Sequence, residues 1–548
     1  MVTSSQRDET GKASVDTARA SAVTGRASAV ARRAAAVTGR AAAETRRPLK
    51  LHPDRLFPAE PSVRSIAREL FEQVEQLPIV SPHGHCDPRW WAANEPFSDP
   101  AGLLVTGDHY LLRMLYSQGV PLESLGVRPV GDEDDVAVPR EVWRTFAANY
   151  HLFRGTPSRL WLDHALHEAL GVEVVPSAVT ADETYEHISA RLAEDDCRPR
   201  AIFDRFNIEF LATTESPLDD LASHRTIRTS GWQGQVVTAF RPDPVVDPDR
   251  PDFAANLDEL AGLTGCDTST WTGYLDALVA RRRFFIAHGA TSTDHGHPSA
   301  TTADLSPRDA AVLFARVRNN RPDPDDAELF RGQMLTEMVR MSLDDGLVVQ
   351  LHPGSRRNHN PALFDRFGPD VGADIPGRTD YVTALKPILD RFGNEPSLTL
   401  VLFTLDESTY SRELAPLAGH YPLLKLGAPW WFHDSVEGIR RFRERTTESA
   451  GFANTVGFTD DTRALLSIPA RHDLARRVDC GFLARLVAEH RLELDEAADV
   501  AVDLAYRLAR EVYRVDSSAF TADGSTTRTG SAQSAPAGSA PAGSAPAL

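Results

Sequence analysis

A histidine pair with one residue between its members is the feature of this sequence best suited to chemistry. His83, Gly84 and His85 follow the short apolar run 78–80. Side chains alternate along an extended strand, so both imidazoles project from the same face. Beyond the carboxyl end of a strand, two such groups can hold one divalent metal ion and leave coordination positions open for a substrate. The pair predicts a metal site, although histidines at this spacing also occur as ordinary hydrogen-bonded residues.

Other polar residues with catalytic potential fall at the ends of further short, apolar runs. They are Thr213, Thr214, Arg241, Asp243, His288, His352, Trp430, Trp431, Asp461 and Arg463. The elements that position them would be eight strands, at 78–85, 208–214, 236–243, 284–289, 347–354, 398–406, 423–432 and 454–461. In a barrel of parallel strands these ends converge on one mouth, where the active sites of that fold lie.

The runs and their spacing predict the fold class. Most of the runs are apolar throughout, which is typical of strands buried on both faces of a parallel sheet. Helical patterns, such as 310–318 and 329–341, lie between them. We therefore predict an α/β fold, a (β/α)₈ TIM barrel. An open doubly wound sheet fits the same alternation, but no Gly-x-Gly-x-x-Gly motif follows an early strand.

The remaining segments define the domain organisation. Residues 86–207 are too many for a simple crossover after strand one, so we expect a mostly helical insertion that covers part of the mouth. Residues 1–47 lack aromatic residues, and 517–548 end in two Ser-Ala-Pro-Ala-Gly repeats. Such low-complexity termini cannot bury enough apolar surface to fold, and we expect both to be disordered. Residues 48–516 would then form the metal-dependent barrel.

Charge and cysteine content narrow the function classes. The chain has a net charge of −18, and 1–47 hold nine basic and four acidic residues, which leaves −23 for the rest. A protein with so large a negative charge is a poor candidate for binding nucleic acid or an anionic membrane. Binding of an anionic substrate would need a local arginine cluster. The four cysteines show no Cys-x-x-Cys spacing, and no long apolar span is present. We expect a cytoplasmic enzyme.

Several separated motifs resemble those of the uronate isomerase (glucuronate isomerase) family of the amidohydrolase superfamily. Besides the histidine pair they are Gly107-Asp-His-Tyr110 with Arg113, Thr213-Thr214, Phe240-Arg-Pro-Asp243, Asp294-His-Gly296, Gln350-Leu-His352, Arg357-Asn358, Trp430-Trp-Phe-His-Asp434, Asp461-Thr-Arg463 and Arg471-His472. The resemblance covers roughly residues 50–515. The chain departs from the family pattern at Ser81, within 213–217, within 427–429 and at Asp460.

The resemblance implies an aldose–ketose isomerase, which is an intramolecular oxidoreductase. It would convert D-glucuronate to D-fructuronate, and D-galacturonate to D-tagaturonate, through an enediolate and without a nucleotide cofactor. One divalent metal ion would be held by His83, His85 and Asp461, with Zn²⁺ first and Mn²⁺ or Fe²⁺ as alternatives. Run 284–289 has no lysine to bridge two metals. Asp460 competes with Asp461 for the ligand role, and we choose Asp461 because it keeps the Asp-x-Arg spacing.

The resemblance also implies roles for the other residues. Asp461, Tyr110 and Arg463 would be catalytic. Six residues would bind the substrate: His109, Arg241, His352, Arg357, Trp430 and Trp431. An arginine fork suits the carboxylate of a sugar acid, although Arg241 could equally brace the barrel rim against Asp243. The partner would be a small-molecule sugar acid, with no nucleic acid or membrane, and we expect a homo-oligomer.

Two other function classes stay open. A metal-dependent hydrolase on the same barrel would use metal-bound hydroxide on an ester or amide, but the Gly-Asp-His-Tyr and Trp-Trp-Phe motifs argue against it. An inactive sugar-acid-binding relative would explain the departures at Ser81 and Ser216. The intact set of His83, His85, Asp461 and Arg463 argues against that second class.

Overall fold

The computed structural model describes residues 46–132, 137–319 and 323–515. The predicted low-complexity termini lie outside this part of the chain, apart from Arg46 and Arg47. Within the described ranges, no helix combines the length and the apolar character needed to cross a membrane.

Parallel strands form the centre of the molecule. In chain order the described strands are β1 (Ile79–Ser81), β2 (Ile208–Glu215), β3 (Gln235–Phe240), β4 (Ser292–His295), β5 (Val348–Leu351), β6 (Ser355–Arg356), β7 (Ile375–Pro376), β8 (Leu400–Leu402) and β9 (Leu424–Leu426). The main sheet has the order β1-β2-β3-β4-β5-β8-β9, and every neighbouring pair in it is parallel. Strands β6 and β7 make a separate antiparallel pair beyond β5.

The segment after β9 closes the sheet into a barrel. Thr455 forms a parallel bridge with Leu426, and Val456 N–H donates to the Leu426 carbonyl at 2.9 Å. Farther along, His85 N–H donates to the carbonyl of Thr462 at 2.9 Å. The run predicted as the eighth strand, 454–461, therefore occupies the eighth position, but as a closing segment with isolated hydrogen bonds. The architecture is the predicted (β/α)₈ barrel.

The prediction of the fourth strand at 284–289 is wrong. Run 284–289 lies at the end of the helix Trp271–Ala287 and in the turn after it, and the fourth strand is Ser292–His295. Tyr274, Leu278 and Phe285 are buried whereas Ile286 is exposed, so the apolar residues follow the helical period. The true strand reads Ser-Thr-Asp-His and has no apolar pattern to reveal it. His288 is consequently at a helix end, with Nδ1 2.8 Å from the Phe284 carbonyl, and not at the mouth.

Helices surround the strands. In chain order the described α-helices are α1 (Pro61–Val74), α2 (Arg89–Ala93), α3 (His109–Ser117), α4 (Pro139–Asn149), α5 (Pro157–His164), α6 (Ala181–Leu192), α7 (Pro199–Arg205), α8 (Ala222–Thr229), α9 (Asp243–Val246), α10 (Phe253–Thr264), α11 (Trp271–Ala287), α12 (Pro307–Asn319), α13 (Pro324–Asp345), α14 (Pro361–Phe367), α15 (Lys386–Phe392), α16 (Ala415–Ala418), α17 (Val436–Ala450), α18 (Ser467–Ala488), α19 (Leu494–Val502) and α20 (Leu508–Val512).

Six of these helices, α2 to α7, lie between β1 and β2. Their apolar faces share one buried core, in which Trp143, Phe146 and Phe153 are almost fully enclosed. Helix α3 joins this core through Leu111, Leu112 and Leu115. Because α3 is anchored there, its first turn is held in place at the barrel mouth.

Candidate active site

The carboxyl ends of the strands surround one cavity of about 230 Å³. All eleven residues predicted for metal, catalysis or substrate binding line it. They are His83, His85, His109, Tyr110, Arg241, His352, Arg357, Trp430, Trp431, Asp461 and Arg463. Asp294, Asp370 and Asp374, for which the sequence analysis proposed no role, line it as well.

The histidine pair faces one carboxylate. Asp461 Oδ1 lies 3.4 Å from His83 Nε2 and 3.2 Å from His85 Nε2. The neighbouring Asp460 points elsewhere, with Oδ2 3.0 Å from His472 Nε2. The geometry therefore favours Asp461 over Asp460 as the carboxylate partner of the pair.

Two further side chains extend this group. Potential ligand atoms of His83, His352 and Asp461 lie within 4.8 Å of one another, and so do those of His83, His85 and Asp294. His352 Nδ1 is 2.8 Å from Asp294 Oδ1. Imidazole nitrogens and carboxylate oxygens are ligands that Zn²⁺ and its neighbours in the first transition row accept. The cluster is a possible metal site.

Two observations test whether a divalent cation fits. His83 Nδ1 and His352 Nε2 are buried and have no hydrogen-bond partner among the described residues. The cavity lining also holds four carboxylates against three guanidinium groups, an excess of one negative charge. A divalent ion would reverse the balance to one positive charge, which a substrate carboxylate can neutralise. The residues present therefore fit a metal ion.

Neighbouring histidines and an arginine keep the buried carboxylates ionised. Burial raises the pKa of Asp461, but His83 and His85 hold it well below its ordinary value. Burial also raises the pKa of Asp294, and Arg241 with His352 and His83 holds it well below that value. Both groups are consequently anionic at neutral pH, as a metal ligand or a general base must be.

Arg241, at the end of β3, is clamped between two carboxylates. Its Nε donates to Asp243 Oδ2 at 3.0 Å, and a terminal nitrogen donates to Asp294 Oδ2 at 2.9 Å. A Cβ atom at Gly296 would lie 2.4 Å from a terminal guanidinium nitrogen of Arg241, so a larger residue there would displace Arg241 or Asp243. The predicted contact between Arg241 and Asp243 exists, yet Arg241 also lines the cavity.

The other two arginines face one loop. Arg463 lies 3.1 Å from Asp370 Oδ1, and Arg357 lies 3.4 Å from Asp374 Oδ2. Gly372, between these aspartates, has φ = +81°, and a Cβ there would meet the His109 carbonyl at 2.7 Å. The loop thus packs directly on α3 and forms one wall of the cavity.

The first turn of α3 presents His109 and Tyr110. Asp108 caps this helix, since its side chain accepts from the N–H groups of Tyr110 and Leu111 at 2.8 and 3.2 Å. Burial and the positive charge of Arg463 lower the pKa of His109 to about 3. His109 is therefore neutral at physiological pH and can accept or donate a hydrogen bond, but it does not carry a charge.

The tryptophan pair follows β9. Trp430 is 8% exposed and packs edge-on against His352, with ring centroids 4.7 Å apart. Trp431 stacks on Phe432 at 5.0 Å and meets His109 edge-on at 4.9 Å. Trp430 therefore mainly fills the barrel top, whereas Trp431 forms part of the wall beside α3.

A model of the glucuronate isomerase family matches residues 62–513. The chain belongs to this family. Two relatives named uronate isomerase share nearly their whole length with it. The one from Rhizorhabdus wittichii is 64% identical over 468 residues, 85% of this chain and 99% of that protein. The one from Phenylobacterium zucineum is 63% identical over 475 residues, 87% of this chain and 99% of that protein.

A solved member of the glucuronate isomerase family shares the fold. The crystal structure of glucuronate isomerase from Caulobacter crescentus superposes with a TM-score of 0.84 at 58% identity. The match covers 86% of this chain and 98% of the other. Sequence and architecture therefore agree on family membership and on the barrel.

Sequence reasoning missed Asp294 as a member of the ligand cluster. Its motif, Asp294-His-Gly296, was recognised, but strand four was placed before it, so Asp294 had no predicted position at the mouth. The signal that could have found it is a second histidine pair, His295-Gly-His297, directly after it. Asp370 and Asp374 lie in an irregular loop and offer no such signal.

Proposed function

We propose that this protein interconverts D-glucuronate and D-fructuronate, and D-galacturonate and D-tagaturonate, by proton transfer through an enediolate. Membership of the glucuronate isomerase family supports the reaction class. The observation that carries the proposal is one cavity in which a cluster of metal-ligand type, three arginines and the His109–Tyr110 pair meet. A small sugar acid is the partner, and the homo-oligomeric state and cytoplasmic location stay predictions.

The three arginines differ in how freely they can meet a substrate. Arg241 is only 23% exposed and already held by two carboxylates. Arg357 and Arg463 are 41% and 40% exposed, and each has one carboxylate nearby. Because an exposed ion pair contributes only about 0–1 kcal/mol, an incoming anion can easily replace Asp370, which is 47% exposed, beside Arg463. Asp374, beside Arg357, is only 6% exposed. Arg357 and Arg241 are proposed to bind the sugar acid, with His109, His352, Trp430 and Trp431 completing the pocket.

The isomerisation moves one proton from C2 to C1 and one hydroxyl proton between the two oxygens. Asp461 is ionised beside the cavity, so we assign it the transfer of the carbon-bound proton from C2 to C1. Tyr110 carries the hydroxyl proton. Arg463, two residues from Asp461, faces the negative charge that develops on the enediolate.

The metal ligands proposed are His83, His85 and Asp461. A divalent ion there, Zn²⁺ first with Mn²⁺ or Fe²⁺ as alternatives, supplies positive charge that polarises substrate oxygens when bound. The reaction needs no nucleotide, because a proton shift between adjacent carbons exchanges no electrons with a second molecule.

The proposal is tested by supplying metal-reconstituted protein with D-glucuronate and D-galacturonate and following ketose formation by ¹³C NMR. We expect fructuronate and tagaturonate to accumulate to an equilibrium that is also reached from the ketose side. An ester and amide panel on the same sample tests the hydrolase alternative. Turnover in that panel without any ketose would reject the proposed function.

A further inference from the structure

The Tyr110 hydroxyl is held by residues that follow the tryptophan pair. Its oxygen lies 2.8 and 2.9 Å from the two carboxylate oxygens of Asp434. The backbone N–H of Phe432 donates to it at 3.1 Å. A carboxylate only accepts, so the hydroxyl proton points at Asp434, and Phe432 occupies one of the two lone pairs. One lone pair remains for a molecule in the cavity that Tyr110 lines.

Arg471, near the start of α18, holds the Asp434 carboxylate in place. It donates to the same carboxylate, and both side chains are only 6% exposed. Its guanidinium lies 3.6 Å from the centroid of the Trp161 ring, and Nε donates to Ser467 Oγ at 3.1 Å. Elements far apart in the sequence, α3, α5, α18 and the loop after β9, therefore converge on one hydroxyl group.

The charges of this cluster are set by burial and by each other. Burial, together with Asp434, raises the pKa of Tyr110 well above its usual value, so the phenol is neutral. Burial lowers the pKa of Arg471, but Asp434 and Tyr110 raise it above its ordinary value. The guanidinium consequently keeps its charge opposite the Asp434 carboxylate, as a buried ion pair requires.

We propose that Asp434, held by Arg471, is a positioning residue for the isomerisation. It turns the hydroxyl proton of Tyr110 away from the cavity, so that the oxygen offers an open lone pair to the sugar hydroxyl group whose proton Tyr110 carries. As that proton reaches Tyr110, the phenol proton passes to Asp434, and it returns when Tyr110 delivers a proton to the neighbouring sugar oxygen. The inference rests on the proposed function. Among the described residues that line the cavity, Tyr110 is present and Asp434 is not, so Asp434 acts through Tyr110.

A double-mutant cycle tests this dependence. We expect Tyr110→Phe and Asp434→Asn each to lower kcat by about 10²-fold, the lower range for a positioned proton-transfer group, with a smaller change in KM. The double variant should be no slower than Tyr110→Phe alone, because Asp434 then has nothing to act through. If the two losses multiply in the double variant, the proposal is overturned.

A second buried pair provides the matched control. Arg443, on α17, donates to both oxygens of Asp479, on α18, at 2.8 and 2.9 Å, and their side chains are 1% and 6% exposed. Asp479→Asn should lower the thermal midpoint without a comparable loss of kcat. An equal loss of kcat in Asp479→Asn would mean that general destabilisation explains the result.

A substitute variant and a second measurement keep the test decisive. If Asp434→Asn does not fold, Asp434→Glu replaces it in the cycle, because it keeps the charge and moves the carboxylate by one methylene. Phenolate absorbance against pH needs no substrate, so it separates this inference from the proposed activity. In Asp434→Asn, Tyr110 should ionise at a lower pH than in the wild type. The added phenolate absorbance should be missing from the Tyr110→Phe/Asp434→Asn double variant, which identifies Tyr110 as its source. An unchanged titration would contradict the proposal.

Discussion

Arg463 contacts Asp370 across the mouth of the barrel, with the guanidinium 3.1 Å from Oδ1. The two side chains are 40% and 47% exposed, so solvent screens the pair, and it contributes no more than about 0–1 kcal/mol. Asp370 thus orients Arg463 in the free enzyme without holding it tightly. A substrate that brings negative charge into the cavity can take its place.

The first prediction concerns this arginine. If Arg463 meets charge that appears mainly in the enediolate, Arg463→Met should lower kcat by roughly 10²–10³-fold and change KM much less. Arg463→Lys should recover little, because a point charge lacks the planar fork. Asp370→Asn, at the other end of the contact, should change KM by less than about fivefold. A loss confined to KM in Arg463→Met would show that Arg463 grips the substrate carboxylate instead.

The second prediction concerns the metal. His83→Ala/His85→Ala should lose bound metal, measured by elemental analysis, while the barrel stays folded, since both side chains follow the end of β1. His288→Ala is the matched control, because that imidazole lies at the end of α11. About one metal per chain is expected in the wild type. Full metal content in the double variant would show that the ligands are elsewhere.

The third prediction concerns Glu215, whose pKa burial raises to about 8 against hydrogen bonds from Thr238 and Thr213. The unfolded chain releases this proton near pH 4.5. Since the folded state holds the proton more tightly, this group's contribution to the free energy of unfolding is complete below pH 4.5. It is lost as the pH rises to about 8. Burial lowers the pKa of the nearby His224 to about 4, so His224 stays neutral across this window.

Glu215→Gln cannot ionise and should escape that loss. The thermal midpoint of the variant minus that of the wild type should increase from pH 5 to pH 8.5. The increase should be equivalent to a few kcal/mol at most in the free energy of unfolding. Calorimetry at both pH values measures the shift. Parallel curves for the two proteins would mean that the buried carboxyl is already ionised at pH 5.

The fourth prediction concerns the N-terminal boundary. Removal of residues 1–45 should leave activity and thermal midpoint nearly unchanged, because that segment has low complexity. Extension of the deletion through Leu49 should destabilise the protein. Leu49 is 4% exposed, Arg47 accepts a backbone hydrogen bond from Val175 at 2.9 Å, and Pro48 bridges Val174. Equal stability of the two truncations would show that this bridge contributes nothing.

Sequence patterns predicted the part of the fold in which periodicity and burial coincide. Strands such as β3 and β5 are apolar runs that end at the mouth, so Arg241 and His352 could be placed there in advance. Strand β4 escaped because its four residues are polar and its apolar neighbour, 284–289, belongs to a helix. The contact of Tyr110 with Asp434 joins residues 324 positions apart, and no local pattern encodes such a pairing.

Conversion in deuterated water is a direct test of the proposed isomerisation. Metal-reconstituted protein is incubated with D-glucuronate in D₂O, and the C1 position of the product is followed by NMR, with Asp461→Asn as the control. We predict that D-fructuronate forms, that part of it carries deuterium at C1 because the enediolate exchanges its proton with solvent, and that Asp461→Asn forms almost none. If no ketose forms, from D-glucuronate or from D-galacturonate supplied in the same way, with metal bound and the barrel folded, the protein does not catalyse the proposed isomerisation.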